Sequence, residues 1–164
     1  MITYPNGSSP PASRAAGVAP VIILVAEDNK FDRMILQQAF AELEFNIELH
    51  FVNDGEDVLD YLRHRNAYAA EGAAPRPAVV LMDLNMPRMN GHDAVLALRA
   101  DADLRVLPVV VLSTSDNPAQ IAQAYADGVN AFMIKPGPFE EVVALMRKFG
   151  EFWLTGVRLP VPAH

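Results

Sequence analysis

Four short stretches carry residue types that could do chemistry together: Glu27-Asp28, Asp83, Ser113-Thr114-Ser115 and Lys135-Pro136. Each follows directly on an apolar run, so each is placed to stand at the end of a buried strand. Three ionised carboxylates gathered at one rim repel one another and raise the pKa of at least one. A hard divalent cation removes that conflict, and an all-oxygen site that keeps several waters suits Mg²⁺. Lys135 is a mobile point charge, better matched to an incoming phosphoryl oxygen than to the cation. Ser113 adds a hydroxyl donor. Carboxylates accept phosphoryl groups as aspartyl-phosphates, and Asp83 is the one that strand geometry pushes furthest into the crevice. Asp28 and Glu27 then hold the ion, directly or through water, and the Asn85 carbonyl completes the shell. For such a transfer the protein mainly positions groups and neutralises charge.

Five apolar runs can serve as strands: residues 21–26, 47–52, 78–82, 109–112 and 131–134. Three are continuously apolar, as a strand covered on both faces should be. The second alternates, with Ile47, Leu49 and Phe51 set against Glu48 and His50, which predicts a sheet edge. Helical patterns lie between them. Phe31, Ile35, Ala39 and Leu43 step by four along the first; Val58, Leu59 and Leu62 mark the second; Ala94, Val95 and Leu98 mark the third. Ile121, Ala124 and Tyr125 mark a fourth that Gly128 closes. The last carries Phe139, Val142, Val143, Met146, Phe149 and Trp153 on one stripe. Strict strand–helix alternation implies an α/β fold with an open parallel sheet and helices on both faces. The crevice of such a sheet lies outside the carboxyl ends of its strands. Residues 65–77, rich in Ala, Gly and Pro, form the one long connection.

The chain has 164 residues, no cysteine and a formal net charge of −7. That length predicts one domain, over residues 21–153. Residues 1–20, without hydrophobic period, read as a disordered tail, and 154–164 as a C-terminal extension. The lack of cysteine excludes a disulfide scaffold, a thiol nucleophile and thiolate metal sites. The acidic balance argues against unspecific nucleic-acid binding. No apolar run reaches the roughly 18 residues a membrane span requires. The apolar stretch ending at Ala26 is too short for a signal peptide and runs into two acids, so a cytoplasmic location is expected. His50, His64, His92 and His164 show no ligand spacing.

The runs Ile22-Ile23-Leu24-Val25-Ala26-Glu27-Asp28-Asn29, Asp83-Leu84-Asn85-Met86-Pro87-Arg88-Met89-Asn90-Gly91 and Ile134-Lys135-Pro136 resemble the receiver domain of bacterial two-component response regulators. The resemblance spans residues 21–153. It implies a flavodoxin-like three-layer (βα)5 sandwich with five parallel strands in the order 2-1-3-4-5. It also implies that Asp83 takes a phosphoryl group from a kinase histidine. Mg²⁺, or Mn²⁺ or Ca²⁺ in its place, would sit on Asp28, Asp83 and the Asn85 carbonyl, with Glu27 in the outer shell. Ser113 falls at the switch hydroxyl, Lys135 at the phosphate-contacting lysine and Phe132 at the rotating aromatic. The Lys135–Pro136 bond would be cis. Such a protein is a phosphoacceptor, not an enzyme beyond slow self-phosphorylation and self-dephosphorylation. The insert before the third strand and the run from Phe152 to Pro160 are similar to the single-domain regulators paired with phytochrome-type histidine kinases. That narrower resemblance implies a homodimer. Phe149, Phe152, Trp153 and Leu154 are its candidate contacts, because a helix end so apolar on adjacent positions cannot bury everything in one monomer; charge and hydropathy predict no direct nucleic-acid or membrane partner. Glu27 departs from the family's usual Asp, Asn90 from a frequent Asp, and Ser113-Thr114 from a commoner threonine followed by a smaller residue.

Taken singly, each site residue has an ordinary explanation: Glu27-Asp28 as a helix N-terminal pair, Asp83 as a turn residue, Lys135 as a solvated loop lysine. Their joint occurrence at three strand ends favours a site. Two other chemistries compete. A phosphatase of the haloacid-dehalogenase type also uses an aspartate nucleophile and Mg²⁺, but needs a second Asp two residues on; here those positions hold Lys30 and Asn85. A flavodoxin-like cofactor binder needs neutral donors after the first strand, where Glu27-Asp28 would repel a phosphate.

Overall fold

The computed structural model describes residues 18–160, so most of the expected N-terminal tail and the last four residues of the C-terminal extension lie outside the described residues. Five strands, β1 (Val21–Ala26), β2 (Ile47–Val52), β3 (Val79–Met82), β4 (Val109–Ser113) and β5 (Ala131–Ile134), form one sheet. Their order is β2-β1-β3-β4-β5 and every pairing is parallel. Five helices alternate with them: α1 (Lys30–Ala41), α2 (Gly55–Leu62), α3 (Gly91–Ala100), α4 (Pro118–Asp127) and α5 (Phe139–Gly150). The strand–helix alternation predicts an open parallel sheet, and the observed order is that of the flavodoxin-like sandwich the resemblance implies, with the alternating strand β2 at one edge.

Side chains alternate across a strand with a period of two, so each central strand feeds both faces. Leu24, Ala26, Val80, Met82, Val109 and Val111 pack against α2, α3 and α4. Ile23, Val25, Val79, Leu81, Val110 and Leu112 pack against α1 and α5. Of the expected stripe, Ala39 and Leu43 are buried and Ile35 is partly buried, with Leu36 and Phe40 completing the face, while Phe31 is 63% exposed. Steps of four overshoot a helical turn by about 40° each, so a row that faces the core at Ala39 and Leu43 has turned away from it at Phe31.

Side-chain caps stop each of the first four helices from fraying. Asn29, Asp54, Asn90 and Asn117 each accept a hydrogen bond from a backbone N–H in the first turn of the following helix. Gly128 ends α4 at φ 106°, a left-handed conformation that glycine takes without steric cost.

The insert at 65–77 contains a 3-10 turn (Asn66–Tyr68) and is tied to the edge strand through Tyr61. The Tyr61 hydroxyl donates to the Pro75 carbonyl at 2.8 Å and lies 3.0 Å from His50 Nδ1. Beyond α5 the chain continues as one π-helical segment (Glu151–Gly156). Phe149 is 1% exposed and packs edge-on against Phe40, with ring centroids 6.0 Å apart. This corrects its expected place among contact residues, because the α1–α5 face consumes it within the monomer. Trp153 and Leu154 are partly buried against the same cluster, and Phe152 is 55% exposed. Among the described residues no helix is long and apolar enough to cross a membrane.

Candidate functional site

The parallel register brings the C-terminal ends of β1, β3, β4 and β5 to one rim, and the expected residues meet there. Glu27, Asp28 and Asp83 each offer a carboxylate oxygen, and these atoms lie within 4.8 Å of one another. Their environments differ: Glu27 is buried, Asp83 half-buried and Asp28 exposed. Burial pushes the Glu27 carboxyl up to about 7, with the Asn29 amide and Lys135 opposing and Asp83 and Asp32 adding to the rise. Burial also raises Asp83, against the pull of the Asn85 amide and Lys135, with Asp28 contributing repulsion. Three carboxylate oxygens gathered this closely are the kind of donor set that a hard divalent cation takes.

Each carboxylate is oriented locally. Glu27 Oε1 accepts from the Asn29 amide at 2.9 Å, and Asp83 Oδ1 accepts from the Asn85 amide at 3.2 Å. Lys135 reaches the rim because its amide donates to the Ser113 carbonyl at 2.7 Å, extending the β4–β5 ladder one residue. Its Nζ stands 3.7 Å from Glu27 Oε2 and 3.1 Å from Asp32 Oδ2. Ser113 is 1% exposed, and its hydroxyl accepts from the Ser115 amide at 3.2 Å. Thr114 beside it is exposed. Phe132 is partly buried against the α2–α4 face, and its amide donates to the Tyr125 hydroxyl at 3.1 Å.

One expectation is corrected. The bond from Lys135 to Pro136 is trans, as is every peptide bond among the described residues. Trans is the form an X–Pro bond ordinarily favours, by about 0.5–1 kcal/mol, and the ladder bond to Ser113 sets Lys135 without needing the other isomer.

Two arginines that carry no signal in the sequence hold the rim in shape. Arg33 on α1 bonds through Nε to the Glu27 carbonyl, and through Nη2 to the Val52 carbonyl and Asn53 Oδ1, both at 2.9 Å. It thereby ties the ends of β1 and β2 together. Arg88 lies in the loop after Asp83 at φ 56°, left-handed backbone that a side chain other than glycine rarely adopts. It is held there by Asp54 at 2.6 Å, Asp57 at 3.0 Å and Glu56 at 3.2 Å. The Gly55 amide adds a bond to the Met89 carbonyl at 2.9 Å. The acceptor loop is thus clamped to the start of α2. Nothing in local spacing links Arg88 to residues some thirty positions earlier; only the fold does. Substituting Arg88→Gln keeps the stem and removes the charge. We expect the affinity for Mn²⁺, read by calorimetric titration, to fall about tenfold, the usual scale for outer residues that orient metal ligands. Unchanged affinity would contradict the clamp.

Comparison with known proteins agrees with this geometry. The profile of the response regulator receiver domain matches residues 23–147. Among curated relatives, the chain is 37% identical to the probable methanogenesis regulatory protein FilR2 of Methanothrix harundinacea, over 88% of this chain and 90% of that one. It is 30% identical to the response regulator Rcp1 of Synechocystis, over 86% and 94%. Three crystal structures superpose well. The response regulator RPA3017, described in red light signalling of R. palustris, has a TM-score of 0.82 at 43% identity, covering 86% of this chain and 99% of that one. The phosphorylated cyanobacterial phytochrome response regulator RcpA has 0.79 at 35%, covering 87% and 100%. The Mn²⁺-bound form of Rcp1 has 0.78 at 30%, covering 87% and 100%. The dehalogenase-type phosphatase reading finds no support in any of these. With its acidic cluster, strand-end lysine and serine in one rim and its fold shared along nearly its whole length with these regulators, the chain belongs to the response regulator receiver family.

Proposed function

We propose that this protein is a single-domain response regulator whose Asp83 accepts a phosphoryl group from a phosphohistidine of a sensor kinase. The observation that carries the reading is the convergence of three carboxylates within 4.8 Å on a rim that also holds the Lys135 ammonium. In the transfer, an Asp83 carboxylate oxygen forms the new O–P bond as the donor's P–N bond breaks. The electron pair stays on the imidazole nitrogen, and the product is an acyl phosphate. Asp28, Asp83 and the Asn85 carbonyl are the candidate ligands of a magnesium ion, with Glu27 reaching it through water. Bound there, the ion supplies positive charge against the phosphoryl oxygens. Lys135 adds a second cation and Ser113 a hydroxyl donor, and these draw in on the added charge. Phe132, partly buried against the α2–α4 side of the sheet, follows the movement of Ser113 and changes the α4–β5–α5 face.

The protein performs no catalysis beyond slow self-phosphorylation and slow loss of the phosphoryl group. In this reading the receiver acts through a switched protein-contact surface. A cytoplasmic setting and a phytochrome-type kinase fit the relatives named for red light and phytochrome. A homodimer is part of the reading, and Phe152, with the partly buried Trp153 and Leu154 behind it, is its candidate contact.

Incubation with phosphoramidate and Mg²⁺ should add one phosphoryl mass to the wild-type protein and none to Asp83→Asn. Equal labelling of the variant refutes the acceptor assignment. Phosphotransfer should be fastest from a kinase with a bilin photosensor; equal rates from unrelated kinases leave only the generic receiver.

A further inference from the structure

Lys135 has two ion-pair partners among the described residues, Glu27 and Asp32, and the nearer is Asp32, at 3.1 Å. Asp32 belongs to neither the carboxylate cluster nor any strand end; it sits in the first turn of α1. Its backbone is fixed by the cap, since Asn29 Oδ1 accepts from both the Phe31 and Asp32 amides, at 2.9 and 3.2 Å. We propose that Asp32 is a positioning residue that tethers the Lys135 ammonium to the α1 side of the rim in the unphosphorylated state and so limits its availability to the incoming phosphoryl group. The inference rests on the reading of Asp83 as acceptor and Lys135 as phosphate contact.

The geometry suits a tether that can be released. The Lys135 side chain is 12% exposed and needs a partner, whereas that of Asp32 is 32% exposed and lies at a helix N-terminus. Water and the helix dipole therefore continue to stabilise the Asp32 carboxylate after the lysine leaves. Glu27, 4% exposed, is shut off from water and keeps only the Asn29 amide. A phosphoryl group carries about −1.5 to −2 charge against the single charge of Asp32, so it can take the lysine over. The tether then acts on the rate of capture and leaves the endpoint intact.

The chain contains three lysines, Lys30, Lys135 and Lys148, so the Lys135 Nζ signal can be followed by NMR on lysine-labelled protein and assigned with Lys135→Ala. Asp32→Asn should shift that signal and raise the rate of labelling by phosphoramidate and Mg²⁺ about threefold to fivefold, the scale a partly exposed ion pair supports. Asp32→Glu should restore the wild-type rate. In a Lys135→Ala background, Asp32→Asn should leave the residual rate unchanged. An unmoved Nζ signal overturns the proposal, as does an unchanged rate in Asp32→Asn. An equal gain with and without Lys135 also overturns it, because the effect would then be charge acting through space. Failure of the wild type itself to label would refute the Asp83 reading, and the Nζ signal would still report separately whether the ion pair forms.

Discussion

Metal-free protein should lose about 3 kcal/mol of folding stability as the pH rises from 4.5 to 7, and saturating Mg²⁺ should abolish most of that slope. The cause is Glu27, whose carboxyl is raised from 4.5 to about 7 by burial. Between those values the folded chain holds a proton there that the unfolded chain has released. Stability falls with pH wherever the native state binds more protons. The contribution is therefore fully present below pH 4.5 and lost as pH rises through 7. Each pKa unit corresponds to about 1.4 kcal/mol, which sets the size of the effect. Asp83, also raised by burial, steepens the fall. A bound divalent cation favours the ionised carboxylates, so its affinity should climb over the same interval. Glu27→Gln removes the titration while its side-chain carbonyl can still accept from the Asn29 amide. Urea titrations of wild type and Glu27→Gln at pH 5 and pH 8, with and without Mg²⁺, measure this directly. A pH slope in the metal-free variant as steep as that of the wild type would contradict the assignment to Glu27.

Gly91→Ala should cost about 2–3 kcal/mol of stability and slow the labelling of Asp83 roughly tenfold to a hundredfold. A Cβ at Gly91 would stand 2.6 Å from the Asp83 carbonyl oxygen and 2.8 Å from the Leu84 Cα. Both neighbours are backbone, which cannot rotate away as a flexible side chain can. The Gly91 amide also donates to the Leu84 carbonyl at 3.0 Å, locking the start of α3 onto the acceptor loop. Relief therefore has to move Asp83 itself. Gly137 is the control, because a Cβ there meets nothing within 4 Å. Gly137→Ala should leave thermal stability and labelling at wild-type values. Equal behaviour of the two variants would show that the close approach at Gly91 does not govern the site.

The features legible in the sequence were those governed by short-range pattern. Uninterrupted apolar runs predicted the central strands, and the alternation of Ile47, Leu49 and Phe51 with polar neighbours predicted an edge, where β2 lies. The strand-end acids, Ser113 and Lys135 came together because parallel strands all end on one rim. Features dependent on the angular position of side chains were less readable. Phe31 fits a step-of-four pattern yet is 63% exposed, and Phe149 was expected at a contact surface yet is 1% exposed. Both errors come from reading a helical face without knowing which angle its neighbours occupy. Long-range pairing was invisible. No local signal joins Arg88 to Asp54, Arg33 to the end of β2, or Asp32 to Lys135, since each pair is made only when separate strand–helix units close on one sheet.

The phosphoryl-accepting atom defines the switch. The direct measurement is to phosphorylate the protein with phosphoramidate and Mg²⁺, reduce the acyl phosphate with borohydride, and map the resulting homoserine by peptide mass spectrometry. A single reduced residue is expected, at Asp83, and only in the presence of the cation. Reduction at Asp28 or Glu27, or a borohydride-resistant phosphoester on Ser113, would contradict that assignment.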